Sequence, residues 1–289
     1  MRPAKYGLRR RRALAGILAA GALVALGLFA WSLVKPYRIQ DDAVSTILAA
    51  DPQSMVTVEP GLPAHIARAV GVEIAERIVG VGIGFGETPA DLKRLEGPLT
   101  SLPFLREFDL SGATLADRDI EFIGGLTALR QLGLIDTDIT DRALTRLAGL
   151  RELDVLYVAR SINTTDAGAE LIAEQFPDLK VLDLSGTQIS DEGMKHISKL
   201  SSLEVLSLGK TDVSSDGMTH LVDLPRLRLL RLDRTKVDDS CVPFVQRMAH
   251  LRYLDVYETE MTGRGVDRLR KALPKCKVSY TRSEEELTQ

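Results

Sequence analysis

An α/β solenoid of stacked coils, preceded by one N-terminal transmembrane helix, is the fold that the sequence predicts. Three observations predict it: an uncharged apolar run of 22 residues from Ala13 to Val34, a leucine pattern that recurs every 24 residues from Leu105 onward, and a sharp division of charge between these two regions. Composition is compatible with it. The 289 residues are 45% apolar and 27% charged, ordinary usage for a globular chain and unlike a low-complexity or disordered one.

The formal net charge of −3 conceals the division. Residues 1–38 carry eight bases and no acid, which leaves 29 of the 37 bases against all 40 acids, a net of −11 for the rest. A nucleic-acid partner is excluded for that acidic body, because no basic surplus remains to neutralise phosphates. Cys241 and Cys276 are too few for a disulfide framework, and no CxxC pair provides a structural zinc site.

Residues 1–12 form a basic cytoplasmic segment. Residues 13–34, at about 1.5 Å per helical residue, span roughly 33 Å, enough for the hydrocarbon core of a bilayer. Six bases precede the run, and Trp31 and Tyr37 sit near its distal end, so the positive-inside bias places the N-terminus in the cytoplasm and the remainder outside it. A cleaved signal peptide has a shorter apolar core, about 7–15 residues, and a small-x-small site, which is missing. The segment therefore reads as a signal-anchor of a single-pass protein of the cell membrane. Residues 35–60 read as a tether.

Residues 61–104 read as an N-terminal cap and a degenerate first repeat. Residues 63–77 have the pattern of helical pieces broken at Gly71, and Ile78, Val81 and Ile83 imitate the spacing of the strands that follow. Gly80, Gly82, Gly84 and Gly86 alternate with Val81, Ile83 and Phe85, the pattern of a strand with one small-residue face rather than of a phosphate loop.

From 105 to 272 the frame L-x-x-L-x-L-x-x-T-x-I/V-x-D-x-G recurs, led by Leu105, Leu129, Leu153, Leu179, Leu203, Leu227 and Leu251, at intervals of 24, 24, 26, 24, 24 and 24. Its regular copies run from Leu179 to Leu200 and from Leu203 to Leu224. This frame resembles the leucine-rich repeat family, in its short form with a helical convex side. The family's Asn or Cys at the ninth position is mostly Thr here (Thr137, Thr187, Thr211, Thr235, Thr259), with Ala113 in the first copy. The resemblance implies a curved solenoid, with a parallel sheet on the concave side and short helices on the convex side.

Each position has its own physical reading. Leu182 and Leu184, two apart, enter the core, so Val181, Asp183 and Ser185 face the other way. Thr187 turns the chain, and its hydroxyl can satisfy backbone groups between coils. Ser190 or Asp191 can cap a helix whose Met194, Ile197 and Leu200 pack inward. Residues 273–289 read as a last edge strand over Leu273 to Tyr280 and a disordered polar tail.

No catalytic motif is found, and no cofactor, metal or small-molecule substrate is expected. His196 and His220 occupy equivalent positions of adjacent repeats, but no third ligand recurs with them, and they read as helix-surface histidines. Asp136, Asp138 and Asp141 lack the Gly and Glu of a calcium loop and read as capping and turn residues. Cys241 stands in the glycine position of other repeats, a small packed residue. Asn163-Thr164-Thr165 matches a glycosylation sequon.

The functional argument lies on the concave face. Its third strand position, from Val155 through Val181, Val205 and Leu229 to Tyr253, forms an apolar ribbon. Beside it fall Tyr157, Arg160, Arg231, Asp233, Arg234, Tyr253, Asp255 and Tyr257, which we take as candidate ligand-binding residues, since aromatics and Arg are enriched at binding hot spots. The competing reading is a strand-favouring ribbon with charges paired for solubility. The third copy is two residues longer, near Ser161 to Thr165. The sequence thus predicts a non-enzymatic, membrane-anchored protein-binding module, with a structural envelope component or a substrate-recruiting subunit as alternatives.

Overall fold

The computed structural model describes residues 35–36, 40, 42–47, 49, 54–59, 61, 77–83 and 92–281. The candidate span 13–34, the basic segment 1–12, the helical pieces of the cap and the polar tail lie outside them. Among the described residues no helix is long and apolar enough to cross a membrane.

Among the described residues ten strands form one sheet in chain order: β1 (Met55–Glu59), β2 (Arg77–Gly82), β3 (Glu107–Asp109), β4 (Gln131–Gly133), β5 (Val155–Tyr157), β6 (Val181–Asp183), β7 (Val205–Ser207), β8 (Leu229–Arg231), β9 (Tyr253–Asp255) and β10 (Lys277–Ser279). From β2 to β10 every pair is parallel. The middle residue of each three-residue strand, such as Leu156, Leu182 and Leu206, is buried, as an alternating pleat requires. Short helices return the chain behind the sheet, among them Asp166–Gln175, Asp191–Ile197 and Gly263–Ala272. One continuous apolar core runs between the two layers.

The tether expected over residues 35–60 is partly built into the fold. Met55–Glu59 pairs antiparallel with β2, with Thr57 opposite Gly80, so the sheet gains one non-parallel edge strand. Gly80 permits this pairing, because a Cβ there would stand 2.9 Å from that of Thr57. Ala43, Val44 and Ile47 in helical residues 42–47 join the core, and the buried Gln40 side chain accepts the Ile78 N–H at 3.1 Å. Physically, the first coil exposes an apolar end that needs a cover, and this segment supplies part of it.

The third repeat's extra length is divided. Helix-capping Thr140, Thr165 and Ser190 are spaced by 25 and 25, against 24 from Ser190 to Ser214, so one extra residue falls on each side of Thr165. The first bulges at Ile162, which is 61% exposed, and the second belongs to the stretch of helix Asp166–Gln175.

The threonine column differs from expectation. Thr187, Thr211 and Thr235 donate to Leu184, Leu208 and Leu232, the carbonyl three residues earlier in their own coil. They lock the corner rather than bridge coils. Where the column holds Ser161, that shorter hydroxyl reaches the preceding coil's Leu134 carbonyl at 2.9 Å.

Candidate sheet-face binding site

The outward residues of the strands are in register across coils. Val155 pairs with Val181, Val181 with Val205, Val205 with Leu229 and Leu229 with Tyr253, and all five are half-buried. They make an apolar ribbon across β5–β9 that no other described element covers. The neighbouring row runs Tyr157, Asp183, Ser207, Arg231, Asp255 and Ser279 in the same register.

Of the eight candidate residues the fold brings six together. Arg231, Asp233, Arg234, Tyr253, Asp255 and Tyr257 line an open cleft of about 380 Å³ with Ser279. Tyr157 lies three coils away on β5, and Arg160 lines a separate hollow of about 310 Å³ with Asp183, Gly186, Lys210 and Asp233. The hollow and the cleft adjoin through Asp233, which lines both, while Tyr157 lines neither.

Within the cleft the charges are unevenly partnered. Asp255 accepts the Tyr257 N–H at 3.1 Å and the Tyr253 hydroxyl at 3.4 Å. The Lys277 ammonium lies 5.9 Å from the centre of the Tyr253 ring, within cation–π range. Asp233 leans over Gly209, where a Cβ would meet its Oδ1 at 2.4 Å. Burial first, and then the charge of Asp255, push its carboxyl above the usual range, against the pull of Arg234 and Lys210. Burial and the charge of Asp183 push the Tyr157 hydroxyl up as well.

Arg160 and Arg234 have a structural role that the strand pattern does not mark. Each occupies the corner after its strand with positive φ, 61° and 58°, like Asp136, Lys210 and Glu258 in their coils. That left-handed turn aims the N–H at the next coil: Arg160 donates to the Ser185 carbonyl at 2.6 Å and Arg234 to Tyr257 at 2.8 Å. Their guanidinium groups pair along the same edge, Arg160 with Asp136 at 3.3 Å and Arg234 with Glu258 at 2.5 Å. The Arg231 guanidinium, by contrast, is exposed and makes neither a hydrogen bond nor an ion pair with any described residue, while its backbone carbonyl accepts the Leu208 N–H.

On the helix side an aspartate ladder joins the coils. Asp141 accepts both the N–H and the hydroxyl of Thr165; Asp166 does the same for Ser190, Asp191 for Ser214 and Asp239 for Thr262. Each acceptor opens one helical turn and each donor caps the next. Asp141, read as a capping residue, thus acts on the following coil. One rung is inverted: Ser215 stands where the acid belongs, and its hydroxyl donates to Asp238 at 2.7 Å. That exchange leaves the glycine position of the next coil open for Cys241, a buried free thiol pushed up to about 12 by burial and by Asp238 and Asp239. Cys276 is likewise free and buried.

His196 faces Glu170 at 3.8 Å. Among the described residues no three His, Cys, Asp or Glu side chains are placed to hold a metal ion.

Comparison with known proteins agrees with this architecture. A family model described as "Leucine Rich repeat" matches residues 177–198. Among solved structures, the internalin InlF of Listeria monocytogenes is similar at 18% identity and a TM-score of 0.50, over 70% of this chain and 61% of that one. This chain thus spans about three-fifths of that internalin. The internalin C2 of the same organism aligns at 21% identity and a TM-score of 0.47, over 83% of this chain and 89% of that one. No curated protein matches the chain. Repeat, register and fold agree: residues 105–272 have the architecture of a leucine-rich repeat solenoid.

Proposed function

We propose that this protein is a non-enzymatic interaction module, anchored in the cell membrane by residues 13–34 with its repeats on the extracytoplasmic side, and that it binds another protein through the sheet face of β5–β9. The observation that carries the reading is the half-buried ribbon from Val155 to Tyr253, which runs in register over five coils and is left uncovered. Apolar surface of that continuity, beside Tyr253, Tyr257 and an unpaired Arg231, has the composition of an interface centre with a polar rim. Membrane anchoring rests on the apolar run and its flanking bases.

The test is a photo-crosslinking residue placed at Val205 in intact cells, with the same residue at Lys195 on the helix side as control. Capture of one protein from position 205, abolished by joint Arg231, Tyr253 and Tyr257 to Ala substitution with an unchanged circular dichroism spectrum, is the expected result. Equal capture from both positions, or capture unaffected by the triple variant, overturns the sheet-face assignment. Digestion of intact cells by added protease tests the topology, and protection of the repeats when the envelope is permeable reverses it.

A further inference from the structure

We infer that the occupant of this face is an amphipathic α-helix with one acidic and one basic end, lying along the ribbon across the strands. The inference rests on the sheet-face reading and goes further by naming the shape and charge of what binds.

Spacing selects the helix. Adjacent strands lie about 4.8 Å apart, so the five ribbon residues from Val155 to Tyr253 repeat at that interval over about 19 Å. Apolar residues at i, i+3/i+4 and i+7 of a helix recur every 5.3 Å or so along its axis. One helix side chain then meets each coil, with a drift of about half an ångström per coil. An extended peptide laid the same way repeats its same-face side chains every 6.8 Å or so and falls out of step by about 2 Å at each coil. The ribbon therefore matches about 13 helical residues.

Charge selects the ends. The residues immediately before and two after each ribbon position change sign along the face. In the coils of β5–β7 they are Asp154, Lys180, Asp183 and Glu204, with Lys180 already paired to Asp154 at 2.9 Å. In the coils of β8 and β9 they are Arg228, Arg231, Arg252, whose guanidinium donates to the Ala249 and Leu251 carbonyls, and Asp255, whose carboxylate is held by the two tyrosines. The first stretch is net acidic and the second net basic. A helix whose basic end lies over Glu204 and Asp183, and whose acidic end lies over Arg228 and Arg231, meets opposite charge at both ends.

A synthetic peptide of about 15 residues tests this, with Leu along one stripe, Glu in the first turn, Lys in the last, and a side-chain staple on the outer face to hold it helical. The full chain in detergent or a nanodisc is titrated with it. Expected results are saturable binding, loss of binding to the Val205→Asp protein, and roughly tenfold weakening by Arg231→Glu that a peptide with Lys in place of the Glu residues restores. An unstapled version carrying two central prolines is expected to bind at least tenfold more weakly. If the proline peptide binds as well, in a Val205-dependent manner, the helix is wrong and the sheet-face reading stands. If the helix binds but Val205→Asp is without effect, the sheet-face reading itself fails. Absence of binding by either peptide up to about 1 mM overturns the inference.

Discussion

Asp233 is a carboxylate kept where ionisation is costly. Burial against Gly209 and the charge of Asp255 raise its pKa in the folded chain, so the folded state binds a proton more readily than the unfolded state there. The linkage follows from that sign: the penalty is absent below the ordinary carboxylate pKa, grows as pH rises through the folded value, and is constant above it. Asp233→Asn is therefore expected to raise the thermal midpoint at pH 7, with the gain fading as the pH falls through the folded value and absent below about 4. A gain that persists at acid pH would count against this account. The type of side chain at each sheet-face position was legible from the repeat frame, which placed Val205, Arg231 and Tyr253 in their rows. Partnering was not, because Arg160 and Arg234 find Asp136 and Glu258 through a left-handed corner that spacing alone does not reveal.

At the scale of one coil, the aspartate ladder does what the threonine column was expected to do. Asp166 receives two bonds from Ser190, at 2.8 and 2.6 Å, and a third from the Gly193 N–H at 3.0 Å. Removal of the carboxylate leaves a half-buried cap and two backbone donors unsatisfied. Asp166→Ala is expected to cost about 1–3 kcal/mol, measured by urea unfolding. Asp216→Ala makes the matched control, since its carboxylate is exposed and clamps no neighbour, and it should change stability by less than about 0.5 kcal/mol. The D-x-G signature advertised a helix start in each coil. That its acid serves the following coil could have been read from one irregularity: where Ser215 replaces it, the next cap becomes Asp238 and the next glycine becomes Cys241. Acid and hydroxyl changed places together, which only a contact between coils explains.

For the whole molecule, periodicity fixed the stacked architecture because every coil repeats the same contacts with its neighbours, and one legible copy stands for the rest. The N-terminal edge was illegible for the same reason turned round: a cover is used once and follows no period. Ala43, Val44, Ile47 and the strand Met55–Glu59 show only a short amphipathic pattern, without a second copy to expose it. Ile47→Ala is expected to destabilise the N-terminal coils by about 2–4 kcal/mol, seen as earlier loss of amide protection in β2 and β3 by hydrogen exchange. A flexible linker at this position would leave that protection unchanged.

Incorporation of Gln40 into the sheet end also determines how far the repeats can wander. On the proposed anchor, residues 35–39 are all that separates the bilayer from Gln40, the first buried side chain among the described residues. Five residues reach at most about 18 Å even when fully stretched. The first coil is thereby confined to the neighbourhood of the lipid headgroups, and the ribbon is presented at a nearly fixed height and with little freedom to rotate away. With that proposed anchor, partners would be met from within a thin layer beside the membrane, where a short leash does the work of orientation that a long one would leave to diffusion.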